Sequence, residues 1–234
     1  MGVDIWCGWH GNGKTYCAVE HTLRVSLATG AELVTNANVT GATHFDTWDE
    51  LYAHLERATV ERLSVQLLID EGGKFLSNRF WQKLDPRTLT MLQERRKIGR
   101  GVDIHVTVPH FRHIDPQLRD VAQRVNLCRR IGGSEYSHDG GRPPRLFIVR
   151  SYRPEQLTTD GSRMVRRKEK PLTRRIVPFS RDLGALYGTA VLDMDKPMLS
   201  VDRPVYRDTP VDAPDGPSTT VELHVVKGRK TRSG

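Results

Sequence analysis

Gly8-Trp9-His10-Gly11-Asn12-Gly13-Lys14-Thr15, close to the start of the chain, has the form G-x-x-x-x-G-K-[ST] of a phosphate-binding loop. Glycines let successive backbone N–H groups turn inward around phosphates. The lysine reaches the β and γ oxygens, and the threonine hydroxyl is a ligand for Mg²⁺. The flanks suit such a loop. Val3 to Cys7 reads as a short buried strand, and Lys14 to Ala28 has helical spacing through Cys17, Leu23 and Leu27 before Gly30 stops it. The loop is therefore expected to run from a strand into a helix N-terminus, where an anion is favoured. Gly8, Gly11, Asn12, Gly13, Lys14, Thr15 and Tyr16 are the expected nucleotide contacts, with ATP and Mg²⁺ as cofactors.

A second site must supply carboxylates. Ser64-Val65-Gln66-Leu67-Leu68-Ile69-Asp70-Glu71 is an apolar run ending in two acids, the pattern of a Walker B strand. A continuous apolar run suits a central parallel strand buried on both faces, and it delivers its last side chains to the carboxyl edge of the sheet, beside the loop. Asp70 is expected to join Thr15 in holding the metal, and Glu71 to polarise the attacking water. A glutamate directly after the metal aspartate favours hydrolysis, as in a motor or remodelling ATPase.

Working outward, strands and helices alternate. Glu32 to Val39 reads as a strand and Phe45 to Arg57 as a helix capped by Asp46 or Thr47, with Asp49 and Glu50 in its first turn. Gly72 to Leu84 reads as a loop carrying Phe80 and Trp81. Asp85-Pro86 opens a helix to about Ile98, closed by Gly99 and Gly101. Val102 to Val108 is a strand, Asp115-Pro116 opens a helix to about Gln123, and Val125 to Arg130 and Leu146 to Tyr152 are further strands. This order predicts a three-layer α/β core with a mainly parallel central sheet and an irregular C-terminal extension. The expected divisions are an ATPase domain over 1–153, a basic extension over 154–195, and a Pro/Asp-rich linker with a basic tail over 196–234.

Composition narrows the classes. With 234 residues and 37% apolar content, one nucleotide-binding domain is the economical reading. Nothing approaches the roughly 18 consecutive apolar residues of a membrane span, and no secretory signal precedes the loop, so a cytosolic protein is expected. Cys7, Cys17 and Cys128 lie in or beside apolar runs without C-x-x-C spacing and read as small core residues. His105, His110 and His113 cluster near a strand end without the spacing of a zinc site. The net charge of +8 is uneven: Arg163, Arg166, Arg167, Lys168, Lys170, Arg174 and Arg175 fall together, as do Lys227, Arg229, Lys230 and Arg232. Such segments bind nucleic acid without sequence preference by neutralising phosphates, or else form ordinary solvated surface.

Four stretches together resemble the zonular occludens toxin family. They are the loop itself, Val34-Thr35-Asn36, Ile69-Asp70-Glu71 with Phe75 and Arg79 after it, and Arg95-Arg96-Lys97-Ile98-Gly99-Arg100-Gly101-Val102-Asp103-Ile104 leading to Ile114-Asp115 and Leu118-Arg119. The resemblance covers roughly the first 130 residues. It implies a RecA-like core of the FtsK and HerA type, shared by the ATPases of filamentous-phage assembly and by genome-packaging ATPases of tailless, membrane-containing viruses. It further implies a homo-oligomeric ring with ATP between subunits and an arginine supplied by the neighbour, for which Arg95, Arg96 and Arg100 are candidates. Double-stranded DNA held non-specifically by basic segments, and a capsid vertex or assembly protein, are the implied partners. The host cytoplasm or the virion is the implied location.

Two departures matter. The phage assembly proteins carry a transmembrane helix after the ATPase domain and this sequence has no such run, which is expected to favour genome packaging over extrusion. At the end of the fourth strand the family places a Thr-Gln pair whose glutamine senses the γ-phosphate, whereas here stand Thr107-Val108-Pro109-His110. Pro109 has neither N–H nor side-chain donor, so His110, helped by Thr107, is the expected substitute. A small-molecule kinase and a non-hydrolysing virion scaffold are the competing classes. DNA-stimulated turnover, acceptor-dependent turnover and absence of turnover separate the three.

Overall fold

The structure, a computed structural model, describes residues 2–76, 86–133, 143–158, 165 and 169–186. Its elements are β1 (Val3–Cys7), α1 (Lys14–Thr29), β2 (Glu32–Thr35), β3 (Thr43–His44), α2 (Trp48–Val60), β4 (Val65–Ile69), α3 (Gly72–Phe75), α4 (Pro86–Glu94), β5 (Val102–Val108), α5 (Pro116–Val121), β6 (Arg124–Ile131), β7 (Leu146–Tyr152), β8 (Thr173–Pro178) and α6 (Arg181–Leu186). The strands form one sheet in the order β3-β2-β4-β5-β1-β6-β7-β8. All pairs from β3 to β6 are parallel, while β7 and β8 are antiparallel additions. This is the three-layer P-loop NTPase architecture expected from the alternation of strands and helices.

Apolar side chains on both faces of β1 and β4 explain their central place. Val3, Ile5, Cys7, Val65, Leu67 and Ile69 enter a core shared with Leu51 and Leu55 of α2 and Leu118 of α5. Trp6 and Leu68 point the other way, into a second core under α1. Fully burying one such leucine is worth roughly 1.5–3 kcal/mol. The face of α1 that meets the sheet is made of small residues, Cys17, Ala18 and Val19, beside Tyr16. Helix and sheet therefore approach closely. Of the apolar spacing read for this helix, Cys17 is buried and Leu23 packs at the margin, but Leu27 is 71% exposed.

Local chemistry sets several boundaries. Gly30, in the left-handed region at φ 70°, closes α1 by donating to the Ser26 carbonyl. Thr47 caps α2 by accepting from Glu50 N–H at 3.2 Å, and the Glu50 carboxylate accepts from Asp46 N–H at 2.8 Å. Asp115 caps α5, with Pro116 at its first position. Other boundaries depart from the pattern. β2 ends at Thr35 rather than Val39, because the Thr35 hydroxyl accepts from Ala37 N–H at 3.0 Å and Asn36 turns toward the neighbouring strand. Gly72–Phe75, read as loop, makes a helical turn, and α4 stops at Glu94 rather than near Ile98. Phe80, Trp81, Arg79, the Asp85 cap, Arg163, Arg166, Arg167, Lys168 and the whole 196–234 segment lie outside the described residues.

The sheet also runs past residue 153, the expected end of the core. Thr173–Pro178 pairs along β7 as the edge strand, and Val177 and Phe179 join the core beneath α1. The chain then crosses α1: Ser180 N–H donates to the Tyr16 hydroxyl at 2.7 Å, and Thr40 N–H donates to the Leu186 carbonyl at 2.8 Å. Residues 179–186 thus strap the first turns of α1 down. The three cysteines are buried and free. No described helix is long and apolar enough to cross a membrane.

A polar file runs under α1. His105 Nδ1 faces the Trp6 indole N–H at 3.4 Å and its Nε2 lies 3.0 Å from Gln66 Oε1, while Gln66 Nε2 donates to Asp103 at 3.0 Å. Asp4, His21 and His105 bring ligand-type atoms within 4.8 Å of one another. Arg124 pairs with Asp4 there, and both His105 nitrogens have protein partners, so the group is a hydrogen-bonded polar core. Burial, with His21 adding to it, pushes the His105 imidazole down to about 3. An unfolded histidine titrates near 6.5, so between those values the unfolded chain binds a proton the native state refuses. The stability contributed by neutral His105 is complete above pH ~6.5 and is lost as pH falls, at about 1.4 kcal/mol per pH unit. Urea unfolding at pH 7 and pH 5 is expected to show that loss together with one from His21, which burial and then Arg175 push down to about 4, and His105→Gln to make it shallower. Equal slopes in both proteins would count against this assignment.

Candidate nucleotide-binding and catalytic site

β1 ends at Cys7 and the loop begins where the chain must turn sharply. Gly11 and Gly13 take φ of 71° and 75°, the left-handed region that favours glycine. A Cβ on Gly13 would fall 2.2 Å from the Phe147 ring, and one on Gly8 would fall 2.8 Å from the Cys128 carbonyl. The loop is thus seated against β6 and β7. Asn12 N–H donates to the Trp9 carbonyl at 3.1 Å, and Cys17 N–H takes the Gly13 carbonyl at 2.9 Å to open α1. Gly8 N–H donates to the carbonyl of Pro109 at 3.3 Å. Proline cannot donate, but its carbonyl ties the end of β5 to the start of the loop.

Lys14 and Thr15 begin α1. Burial holds the Lys14 ammonium below its ordinary value, opposed by the charge of Asp70. Its Nζ lies 3.5 Å from the Trp9 carbonyl. A phosphate in the loop would oppose that lowering, since an opposite charge at close range favours the charged form.

Asp70 is the centre of the site. Its backbone is clamped by Asn36, whose Oδ1 accepts from Asp70 N–H at 2.7 Å and whose Nδ2 donates to the Asp70 carbonyl at 3.1 Å. Its carboxylate Oδ1 accepts from Thr15 Oγ1 at 2.8 Å and from Thr107 Oγ1. Burial raises its pKa, with the two threonine hydroxyls opposing. Thr107 also accepts from Glu71 N–H at 2.9 Å. One hydroxyl at the end of β5 therefore ties the Asp70 carboxylate to the Glu71 backbone. Glu71 sits at φ 51°, and Gly72 follows because a Cβ there would lie 2.2 Å from Val106. The chain turns away at once, leaving the two carboxylates beside the loop. A threonine hydroxyl and a carboxylate within hydrogen-bonding distance are hard oxygen donors that suit Mg²⁺, so Thr15 and Asp70 are the residues that would hold it.

The remaining expected residues fall elsewhere. Tyr16 lies beside Phe147 and Phe179, at ring-centroid distances of 5.0 and 5.5 Å, with its hydroxyl engaged by Ser180. What it can offer a phosphate is its backbone N–H. Arg95, Arg96 and Arg100 precede β5. Val102 N–H donates to the Arg95 carbonyl and Arg100 N–H to the Leu63 carbonyl, which places them at the amino edge of the parallel sheet. The loop is at the carboxyl edge, and seven residues of β5 at about 3.3 Å each separate the two edges by roughly 20 Å. None of the three lies beside the loop of its own chain. Arg95 is buried, while Arg96 and Arg100 are exposed. His110 is buried and accepts from Arg112 N–H through Nδ1 at 3.1 Å, capping a short 3-10 turn over Phe111–His113. Burial, then Arg112 and His113, lower its pKa.

Two residues of the site carry roles that the sequence pattern did not assign. Asn36 stood among the motif residues without a function, and Thr107 only as a helper to His110. The available signal was a polar residue directly at the end of a strand, in both cases beside the β4 acids once the strand order is known.

The zonular occludens toxin family model matches residues 2–137. No curated protein matches the chain. Similar solved structures include the N-terminal domain of zonular occludens toxin from Neisseria meningitidis, with 13% identity and a TM-score of 0.49, covering 80% of this chain and 98% of that one. The genome packaging NTPase B204 from Sulfolobus turreted icosahedral virus 2, in complex with ATP-gammaS, is similar at 12% identity and a TM-score of 0.47, over 76% of this chain and 98% of that one. The pCW3 conjugation coupling protein TcpA, with ATPgS, is similar at 12% identity and a TM-score of 0.45, over 79% and 64%.

Proposed function

Since the chain belongs to the zonular occludens toxin family, we propose that this P-loop NTPase hydrolyses ATP to move DNA and that it loads a viral genome into a capsid. The observation that supports this reading is the joined acid pair. Asp70 is bonded to the Thr15 hydroxyl of the loop, and Glu71 is held one residue further by Thr107. Lys14 and the loop N–H groups bind the phosphates, and Thr15 with Asp70 holds the metal, which when bound supplies charge neutralisation on the phosphate oxygens. Glu71 takes the proton of the attacking water, and Asn36 and Thr107 keep both acids in place. An arginine of the neighbouring subunit completes the charge stabilisation in a homo-oligomeric ring. The amino-edge position of Arg95, Arg96 and Arg100 is compatible with such a role only in trans. The motor works in the host cytoplasm against a capsid vertex or assembly protein. Phage extrusion is the second reading, favoured by the family match itself.

ATPase rate per subunit is expected to rise with protein concentration as rings assemble and to rise further on adding duplex DNA. An alanine variant of the trans arginine should regain part of its activity when mixed with Lys14→Ala. A rate independent of both concentration and DNA, with Arg95, Arg96 and Arg100 each replaceable by alanine, would remove the shared-site motor.

A further inference from the structure

β6, β7 and β8 contain six arginines and no acidic residue. Their side chains alternate between faces. Cys128, Phe147, Val149 and Val177 enter the core beneath α1, so Arg129, Ile148, Arg150, Arg174 and Ile176 lie on the opposite face. On the covered side the charge is matched, since Arg175 pairs with Glu20 of α1 at 2.6 Å. On the open side no ion pair joins Arg129, Arg150 or Arg174 to any acid among the described residues. Neither Ile148 nor Ile176 belongs to a core cluster, and Ile176 is 57% exposed.

The register brings the three charges together. Arg150 of β7 is directly opposite Arg174 of β8, and Arg129 of β6 is opposite Ile148, one diagonal step from Arg150. Direct cross-strand neighbours lie about 5 Å apart and diagonal ones about 7–8 Å. Like charges opposite each other destabilise a sheet, and here no acid among the described residues pairs with them. A closely spaced row of anions would. Guanidinium forks fit phosphate oxygens, and the spacing of the row suits successive phosphates of one strand.

We propose that the exposed part of this face of β6, β7 and β8, beyond the buried Val125 and Tyr152, is the surface on which this protein holds the DNA phosphate backbone, through Arg129, Arg150 and Arg174. This rests on the reading of DNA as the moved substrate. It locates the contact on the sheet itself, away from the basic tail. An acidic protein surface, including that of a second copy, is the other chemistry the face would accept.

The test measures binding of the full chain to two duplexes of unrelated sequence across a salt series, for wild type and for Arg129→Gln/Arg150→Gln/Arg174→Gln. Nucleotide binding, DNA-free ATPase, melting temperature and oligomeric state are followed in parallel. Three lost phosphate contacts should make the log K against log salt slope shallower by roughly 2–3, with affinity falling at least ~10-fold at low salt, equally for both duplexes. Nucleotide binding should not change. Unaltered affinity and slope would overturn the proposal while leaving a DNA motor intact. Wild type that fails to bind either duplex would overturn the motor reading and this surface with it. Loss of ring assembly with DNA affinity per subunit unchanged would assign the face to a second copy instead. If the triple variant does not fold, Arg174→Gln alone, on the edge strand, should reduce the slope by about 0.9, and no reduction would overturn the proposal.

Discussion

Glu71→Gln is expected to bind ATP as tightly as wild type and to hydrolyse it at least ~100-fold more slowly, the scale of a lost positioned base. The substitution keeps the side-chain volume, the backbone N–H donated to Thr107 and the turn at φ 51°, so the geometry of Asp70 survives and only proton acceptance is removed. Lys14→Ala should behave differently. It removes the cation that faces the β and γ phosphates, so binding itself should fail. Fluorescent-nucleotide titration beside steady-state phosphate release separates the two. Nearly normal turnover in Glu71→Gln would remove its catalytic assignment while leaving the loop as the binding site.

Gly13→Ala is expected to abolish nucleotide binding and to lower stability at the same time. An L-residue in the left-handed region costs roughly 1–2 kcal/mol, and overpacking a close contact costs about 1–3 kcal/mol more. Here the new methyl would meet Phe147 at 2.2 Å. Adding Phe147→Leu should recover part of the melting temperature by removing the ring, but the backbone penalty at φ 75° remains, so binding should stay weak. Full recovery of binding in the double variant would show that the collision alone mattered. Binding retained in Gly13→Ala would mean that the loop does not need this turn.

Much of the site was legible in the chain because its parts are local. A glycine-rich turn between a buried strand and a helix, and two acids at the end of an apolar run, declare their chemistry within eight residues each. The caps Thr47 and Asp115 were legible for the same reason, since a capping side chain reaches only two or three residues on. Tyr16 was placed correctly in the loop's helix, but its ring is claimed by Phe147 and Phe179, more than a hundred residues away in the chain. His110 was read as a phosphate sensor from its position after β5. In the fold its Nδ1 accepts from Arg112 N–H and caps a short turn, which puts the proton of the neutral ring on Nε2.

The sequence by itself determined the nucleotide loop, the acid pair and the parallel core that joins them, because glycine conformations, strand burial and helix starts are set by neighbours in the chain. The tertiary structure alone decided which hydroxyl ties Asp70 to the Glu71 backbone, where the arginines before β5 lie relative to the loop, and that a late strand and strap complete the sheet over α1. Those outcomes depend on strand order. β5 lies between β4 and β1, so Thr107 meets Asp70 across 37 residues of sequence, while residues that close in sequence to β5's beginning are carried to the opposite edge. No local pattern encodes such a juxtaposition, because it arises only when buried strands choose their neighbours.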